Sequence, residues 1–302
     1  MKLASHFNRV LVTGISGFTG IHLEKYLTDL GYDVYGTVLG EPSKPNHYKC
    51  NITKKDEISN IISVVEPHYV IHVAAISFVA ESNASLIYDV NVIGTENILS
   101  SLVEHNIDVK KVLISSSALI YGNLNKEVLD ESMQPKPVNH YGCSKLAMEH
   151  IAEEYFDRLP IIITRTFNYT GVGQAVHFLV PKIIKHFQDK CKVIELGNTN
   201  VAREFNDVRY ITECYYRLMN ADTPSTIVNL SSNNPVKLMK LIEKIESIAG
   251  YKIEIKINPD FVRANEISSL SGSTDKLISL IGEVDKINLE DTLTTMYNNP
   301  NK

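Results

Sequence analysis

The chain has no excess of basic residues. Its 30 Lys and Arg stand against 35 Asp and Glu, a formal net charge of −5 over 302 residues. That balance excludes a general attraction to nucleic acid or to anionic membrane surfaces and leaves room for a local basic pocket at most. Cysteine is scarce: Cys50, Cys143, Cys191 and Cys214 show no CxxC spacing. This argues against a disulfide framework or a zinc site and for free thiols in a reducing compartment, with no metal expected. Long apolar runs are missing too. The longest uncharged one, residues 69–80, is too short to cross a bilayer, and "MKLASHFNRVLVTG" has no apolar stretch of the signal-peptide kind. A cytoplasmic protein is the expectation. No linker, repeat or low-complexity tract interrupts an ordinary globular composition of 44% hydrophobic and 22% charged residues.

What is present is an alternation of apolar runs and amphipathic stretches. "RVLVTG" (9–14), "YDVYGTVL", "YVIHVAA", "KKVLISSS" (110–117) and "PIIITRTFN" have the continuous apolar character of buried strands. Between them, "GIHLEKYLTDLG", "DEISNIISVVEP", "YDVNVIGTENILSSLVEHN" and "YGCSKLAMEHIAEEYF" have helical spacing. The pattern predicts an α/β protein: a Rossmann-type doubly wound parallel sheet over residues 1–168, binding NAD(P). Residues 169–302 are expected to form mainly a smaller α/β substrate lobe, with elements near 206–230 returning to the sheet.

"TGISGFTG" places Gly14, Gly17 and Gly20 between the first strand and the first helix. Three glycines at this spacing permit a tight turn, close backbone approach to a pyrophosphate and close helix–strand packing. The helix N-terminus then offers free N–H groups to the phosphates. The end of the second strand, Val38 and Leu39, carries neither the acid of an NAD site nor the arginine of an NADP site. Lys44 is the nearest cation and tilts the expectation slightly from NADH to NADPH.

"YGCSK" sets Tyr141 and Lys145 four apart, on one face of a helix. A phenol is a poor acid–base group at neutral pH, and a neighbouring ammonium should lower its pKa. Ser117 closes the preceding strand in "SSSALIYG".

Taken together, "TGISGFTG", "HVAAIS", "DVNVIGT", "SSSALIYG", "YGCSK" and "RTFN" resemble the extended short-chain dehydrogenase/reductase family, in its nucleotide-sugar branch. The resemblance implies that Ser117, Tyr141 and Lys145 are catalytic. It implies cofactor contacts at Gly14, Ser16, Gly17, Phe18, Thr19, Gly20, Ile52, Ala74, Ala75, Ser115, Tyr141, Lys145 and Thr166. Asn91 matches an asparagine that supports the active-site helix on the cofactor side, and Asn51 stands where an aspartate usually meets the adenine amino group. "RTFNYTGVGQ", "VAREFNDVRY" and "VRANEISSLSGSTDKLISLIG" are similar to segments of the GDP-4-keto-6-deoxy-mannose reductases of that branch. They imply substrate contacts at Ser77, Ser117, Asn168, Gln174, His177, Lys182, Arg203, Arg263 and Glu266. Forked arginine donors suit a diphosphate. The resemblance further implies a homodimer through a four-helix bundle built from residues near 88–105 and 141–156.

Ala118 and Leu119 follow Ser117. Dehydratases of the branch carry carboxylates there, and the epimerase-reductases carry a cysteine at Leu119. Neither side chain here moves a proton, which leaves chemistry that needs a hydride and one proton donor. The expected activity is therefore NAD(P)H-dependent reduction of the C4 keto group of a nucleotide-diphosphate 4-keto-6-deoxy sugar. GDP is favoured and dTDP open, and the product would feed a surface polysaccharide such as lipopolysaccharide. The alternatives are an NAD-dependent 4-epimerase and a non-catalytic NAD(P)-sensing regulator.

Overall fold

A computed structural model of the chain describes residues 8–77, 83–124, 126–262 and 267–299. In the first half the alternation becomes β1 (Arg9–Thr13), α1 (Phe18–Asp29), β2 (Asp33–Val38), β3 (His47–Lys49), α2 (Lys55–Val65), β4 (Tyr69–His72), α3 (Ala84–Tyr88), α4 (Gly94–Glu104), β5 (Lys111–Ser117), α5 (His140–Glu153) and β6 (Ile161–Thr166). There follow α6 (Leu179–Gln188), α7 (Val208–Met219), β7 (Thr226–Leu230), α8 (Leu238–Ala249), α9 (Asp275–Ile281) and α10 (Leu289–Asn298).

The seven strands form one parallel sheet in the order β7-β6-β5-β4-β1-β2-β3. Strand order reverses between β1 and β4, so a crevice opens at their C-terminal ends, where Rossmann-like sheets take ligands. Helices cover both faces, which is why the strands read as apolar on every residue rather than on alternate ones. On one face, α2, α4 and α5 bury Ile58, Ile62, Leu99, Leu102 and Met148. On the other, α1, α7 and α9 bury Leu23, Leu27, Ile211, Leu218 and Leu277. A separate apolar core under α6, α8 and α10 includes Ile183, Phe187, Leu241, Ile245 and Leu293. The second half of the chain therefore contributes α7, β7 and α9 to the sheet and builds its own lobe from what lies between them.

Three stretches differ from expectation. Residues 88–105 are not one helix: a π-helical turn, Asp89–Ile93, separates α3 from α4. The widened turn lets Asn91, wholly buried, donate to Ser144 Oγ at 3.0 Å on α5 and accept from the Ile76 N–H at 2.9 Å. It fixes three segments to one another, a common use of such bulges. β3 was invisible in the sequence because three residues are too few to show a period. The helix expected over 141–156 ends at Glu153, with turn-type bonds from Tyr155 N–H to Ala152 and Phe156 N–H to Glu153.

His72 ends β4, buried between the hydroxyls of Thr13 at 2.7 Å and Thr95 at 2.9 Å. Burial, with a smaller contribution from Lys145, lowers its pKa to about 3. Below the unfolded value near 6.5 the unfolded chain binds a proton that the native state refuses, so stability falls as pH drops from about 6.5 towards 3. The loss is on the order of 5 kcal/mol at most. Urea unfolding over this window should show that slope, and His72→Gln should reduce it by up to one proton's worth; an unchanged slope would mean His72 already titrates in the native state.

Candidate active site

The glycine loop follows β1 directly. Gly14 has φ +70°, and a Cβ on it would lie 2.9 Å from Ala74 Cα, so the loops after β1 and β4 meet backbone to backbone. A Cβ on Gly20 would meet the Gly14 carbonyl oxygen at 2.4 Å and Ile15 Cα at 2.6 Å. Gly17 caps α1 with no side-chain hydrogen bond. The first N–H groups of α1, at Phe18, Thr19 and Gly20, are thus left for an external acceptor. A pyrophosphate fits that donor set, with the helix dipole behind it.

The other expected cofactor residues surround this loop in different ways. Ser16 is exposed on it, and Ala75 follows Ala74 in the half-buried loop after β4. Phe18 stacks on Tyr169 with ring centroids 5.7 Å apart, and the Thr19 and Tyr169 hydroxyls lie 2.6 Å apart. Ile52 is buried beside Gly94, where an added Cβ would come within 2.6 Å of its side chain. Asn51 Oδ1 accepts from the Thr53 N–H and hydroxyl. Lys44 is held 2.8 Å from the Glu24 carboxylate, which also bonds His47 at 2.9 Å.

All three serines that end β5 engage α5. The Ser115 carbonyl accepts from Lys145 Nζ at 2.7 Å, Ser116 Oγ donates to Glu149, and the Ser117 side chain neighbours the Tyr141 hydroxyl. The three serines thus face Tyr141, Lys145 and Glu149, which are spaced one helical turn apart along α5. Asn139 caps this helix by accepting from the Gly142 N–H at 2.8 Å, which sets Tyr141 on its first turn. Ser117 Oγ also accepts from the Leu119 N–H at 3.1 Å, starting the short 3-10 turn Ala118–Tyr121. Thr166, paired in register with Ser117 on β6, is buried at the same level.

The electrostatics depart from expectation. Burial dominates the Tyr141 phenol and pushes it up to about 12, with the Ser117 side chain offsetting only part of that. The same burial drives the Lys145 ammonium down to about 7, opposed by the carboxylate of Glu149. The cause is shared. Both groups are almost wholly out of water, with Lys145 turned to a backbone carbonyl.

The expected substrate residues are more scattered. Asn168 is exposed just after β6, and its carbonyl accepts from the Asn206 N–H at 3.0 Å. Gln174 accepts from the Thr170 hydroxyl at 2.7 Å. His177 is exposed, with its ring 4.4 Å from that of Phe178. Lys182 on α6 donates to the Glu195 carbonyl at 2.9 Å and lies over the Phe261 ring at 4.5 Å. Arg203 donates to the Ala202 carbonyl at 2.8 Å and to that of Ile267. Ser77 is exposed at the end of the loop after β4, while Arg263 and Glu266 lie outside the described residues.

Sequence reasoning missed His72, Glu149, Arg165, Tyr169 and Tyr215, all within or beside this cluster. A signal was there for three of them. His72 and Arg165 interrupt otherwise apolar strands, and Glu149 repeats the four-residue step from Lys145.

A family model described as the NAD dependent epimerase/dehydratase family matches residues 10–231. The chain is 35% identical to the GDP-6-deoxy-D-talose 4-dehydrogenase of Aggregatibacter actinomycetemcomitans, over 91% of each chain. It is 27% identical to the GDP-6-deoxy-D-mannose reductase of Pseudomonas aeruginosa, over 94% of each. The structure of RMD from Pseudomonas aeruginosa complexed with NADPH superposes with a TM-score of 0.86 at 25% identity, covering 97% of this chain and 98% of that one. The chain thus belongs to the NAD(P)-dependent epimerase/dehydratase family.

Proposed function

We propose that the chain reduces the C4 keto group of a GDP-4-keto-6-deoxyhexose to the alcohol, with NADPH or NADH as the hydride source. The observation that carries this reading is the pair of residues after Ser117. Ala118 is buried and Leu119 half-buried in an apolar cluster with Ile120, Phe167 and Leu270. Neither can move a proton to or from C3, C5 or a departing hydroxyl, so the Ser117–Tyr141–Lys145 group is left with one oxygen to serve. The GDP nucleotide follows from the names of the two relatives from Aggregatibacter and Pseudomonas.

The bound cofactor supplies hydride to the carbonyl carbon. Tyr141 gives its phenolic proton to the oxygen as negative charge builds there. A phenol held protonated by burial suits this direction, because it is a donor across the whole neutral range. Ser117 Oγ holds the same oxygen, and Lys145 stabilises the phenolate left on Tyr141. Asn168, Gln174, His177, Lys182 and Arg203 are the residues proposed to meet the sugar nucleotide, with Arg203 for the diphosphate.

A second reading, 4-epimerisation with a retained NAD, has the family's own description in its favour. It requires the protein to leave purification carrying its cofactor and to need none added.

Purified enzyme should oxidise NADPH or NADH when offered GDP-4-keto-6-deoxyhexose, more slowly with the dTDP sugar, and product analysis should show one C4 configuration, talo or manno. No turnover with either nucleotide, together with NAD bound as isolated, would transfer the assignment to the epimerase. Tyr141→Phe should lower kcat by at least about 100-fold while NADPH affinity changes less than about twofold; retention of most of the turnover would show that another group donates the proton.

A further inference from the structure

We infer that Glu149 and Arg165 are a positioning pair for the reaction: their buried ion pair clamps α5 to the ends of β5 and β6 and keeps the Lys145 ammonium charged beside Tyr141. The inference rests on the roles proposed above for Tyr141 and Lys145.

The geometry is specific. Arg165 Nη2 donates to Glu149 Oε2 at 2.8 Å, and its Nε lies 3.2 Å from both carboxylate oxygens. The two side chains are 5% and 2% exposed. The remaining capacity is spent within the protein. Ser116 Oγ donates to Glu149, and Arg165 Nη1 donates to the Tyr121 hydroxyl at 3.1 Å and the Glu131 carbonyl at 3.3 Å. Tyr121 in turn donates to Asn229 Oδ1 at 2.7 Å on β7.

A buried ion pair of this kind rarely adds stability over an apolar pair of similar volume, because both ions lose their hydration. Its retention inside a strand as apolar as "IIITRT" points to another role. Lys145 and Glu149 lie four apart on one face of α5, within a few ångströms along the helix surface. The other groups facing Lys145 offer no negative charge. His72 reaches across from β4 and is held neutral between two threonines. Tyr141 on α5 and Tyr215 on α7, which touches the Tyr141 environment, are phenols raised by burial. The Ser115 carbonyl of β5 gives a dipole only. Glu149 is the charge that favours ammonium over amine, and Arg165 both orients it and limits its field.

The two charges make opposite predictions, which a merely structural pair would not. The readouts are the alkaline midpoint of kcat/KM for ketosugar reduction and, independently of any sugar, the alkaline midpoint of NADPH binding followed by nicotinamide fluorescence. Glu149→Gln keeps the shape and an acceptor for Ser116, and should move both midpoints down by about one pH unit. Arg165→Met should move them up. If Arg165→Met fails to fold, the double variant Glu149→Gln with Arg165→Met removes both charges at once and should fold, with midpoints lowered as in Glu149→Gln alone. Lys145→Met should flatten the binding curve and so identify the titrating group. Wild-type midpoints in Glu149→Gln and in the double variant, or shifts in the same direction for both single variants, would overturn the pair's role. Should the wild-type enzyme reduce no sugar, the proposed function falls, while the NADPH-binding curves still decide the fate of the pair.

Discussion

Everything near the crevice is arranged around one costly fact, an ammonium taken out of water. Lys145 lies at the end of β5 with a backbone carbonyl as its hydrogen-bond acceptor, and burial brings its pKa to about 7. The surrounding elements compensate by fixing where its neighbours stand. Asn91 ties the π-helical turn to Ser144, next to Lys145 in the chain, and to the loop after β4. His72 links β1, β4 and α4 through hydroxyls instead of carrying a second positive charge. The Ser115–Ser116–Ser117 run meets Lys145, Glu149 and Tyr141 in turn, so the position of α5 on the sheet is set at three points.

The chemical emptiness after Ser117 is also structural. Ala118 and Ile120 are packed with Tyr121, Phe167 and Leu270, and the 3-10 turn is started by Ser117 itself. A carboxylate at Ala118 would have to enter an apolar cluster, which is expensive without a partner. The limit on the chemistry and the packing of the turn are therefore one constraint, and a change at this position would disturb both.

Much of the fold was legible because parallel strands covered on both faces are continuously apolar, and five such runs stand out of the sequence. The glycine loop was legible because its residues are required by backbone approach, as the contact between Gly14 and Ala74 shows. What escaped was set by tertiary contact. Nothing local distinguishes the π-helical turn at Asp89–Ile93 from an α-helix; it is held by Asn91 reaching partners at 76 and 144. The Tyr141 expectation failed for a similar reason. The four-residue spacing correctly placed Lys145 on the same face, but spacing carries no information on burial, and burial dominates both pKa values.

The second lobe is joined to the sheet by a different device. Glu204, wholly buried one residue after Arg203, accepts from Ser231 Oγ at 2.6 Å, the Ser232 N–H at 2.8 Å, the Gly272 N–H at 2.9 Å, Asn206 Nδ2 at 2.9 Å and Ser271 Oγ at 3.2 Å. A buried carboxylate satisfied by so many short donors needs no cation beside it, since the hydrogen bonds replace its hydration. Apart from Asn206, its donors come from the segment after β7 and from residues 271–272, so it fixes those segments against the stretch around Arg203. On the opposite side, Tyr169 stacks on Phe18 and bonds Thr19, while the His22 ring bonds the Val172 carbonyl at 2.9 Å. The segment leading into the second lobe is thereby fastened to the first two turns of α1, the helix whose uncapped start suits the cofactor phosphates. Loss of Tyr169 would free the Thr19 hydroxyl and the Phe18 ring together, so the two lobes share their contacts at the start of α1.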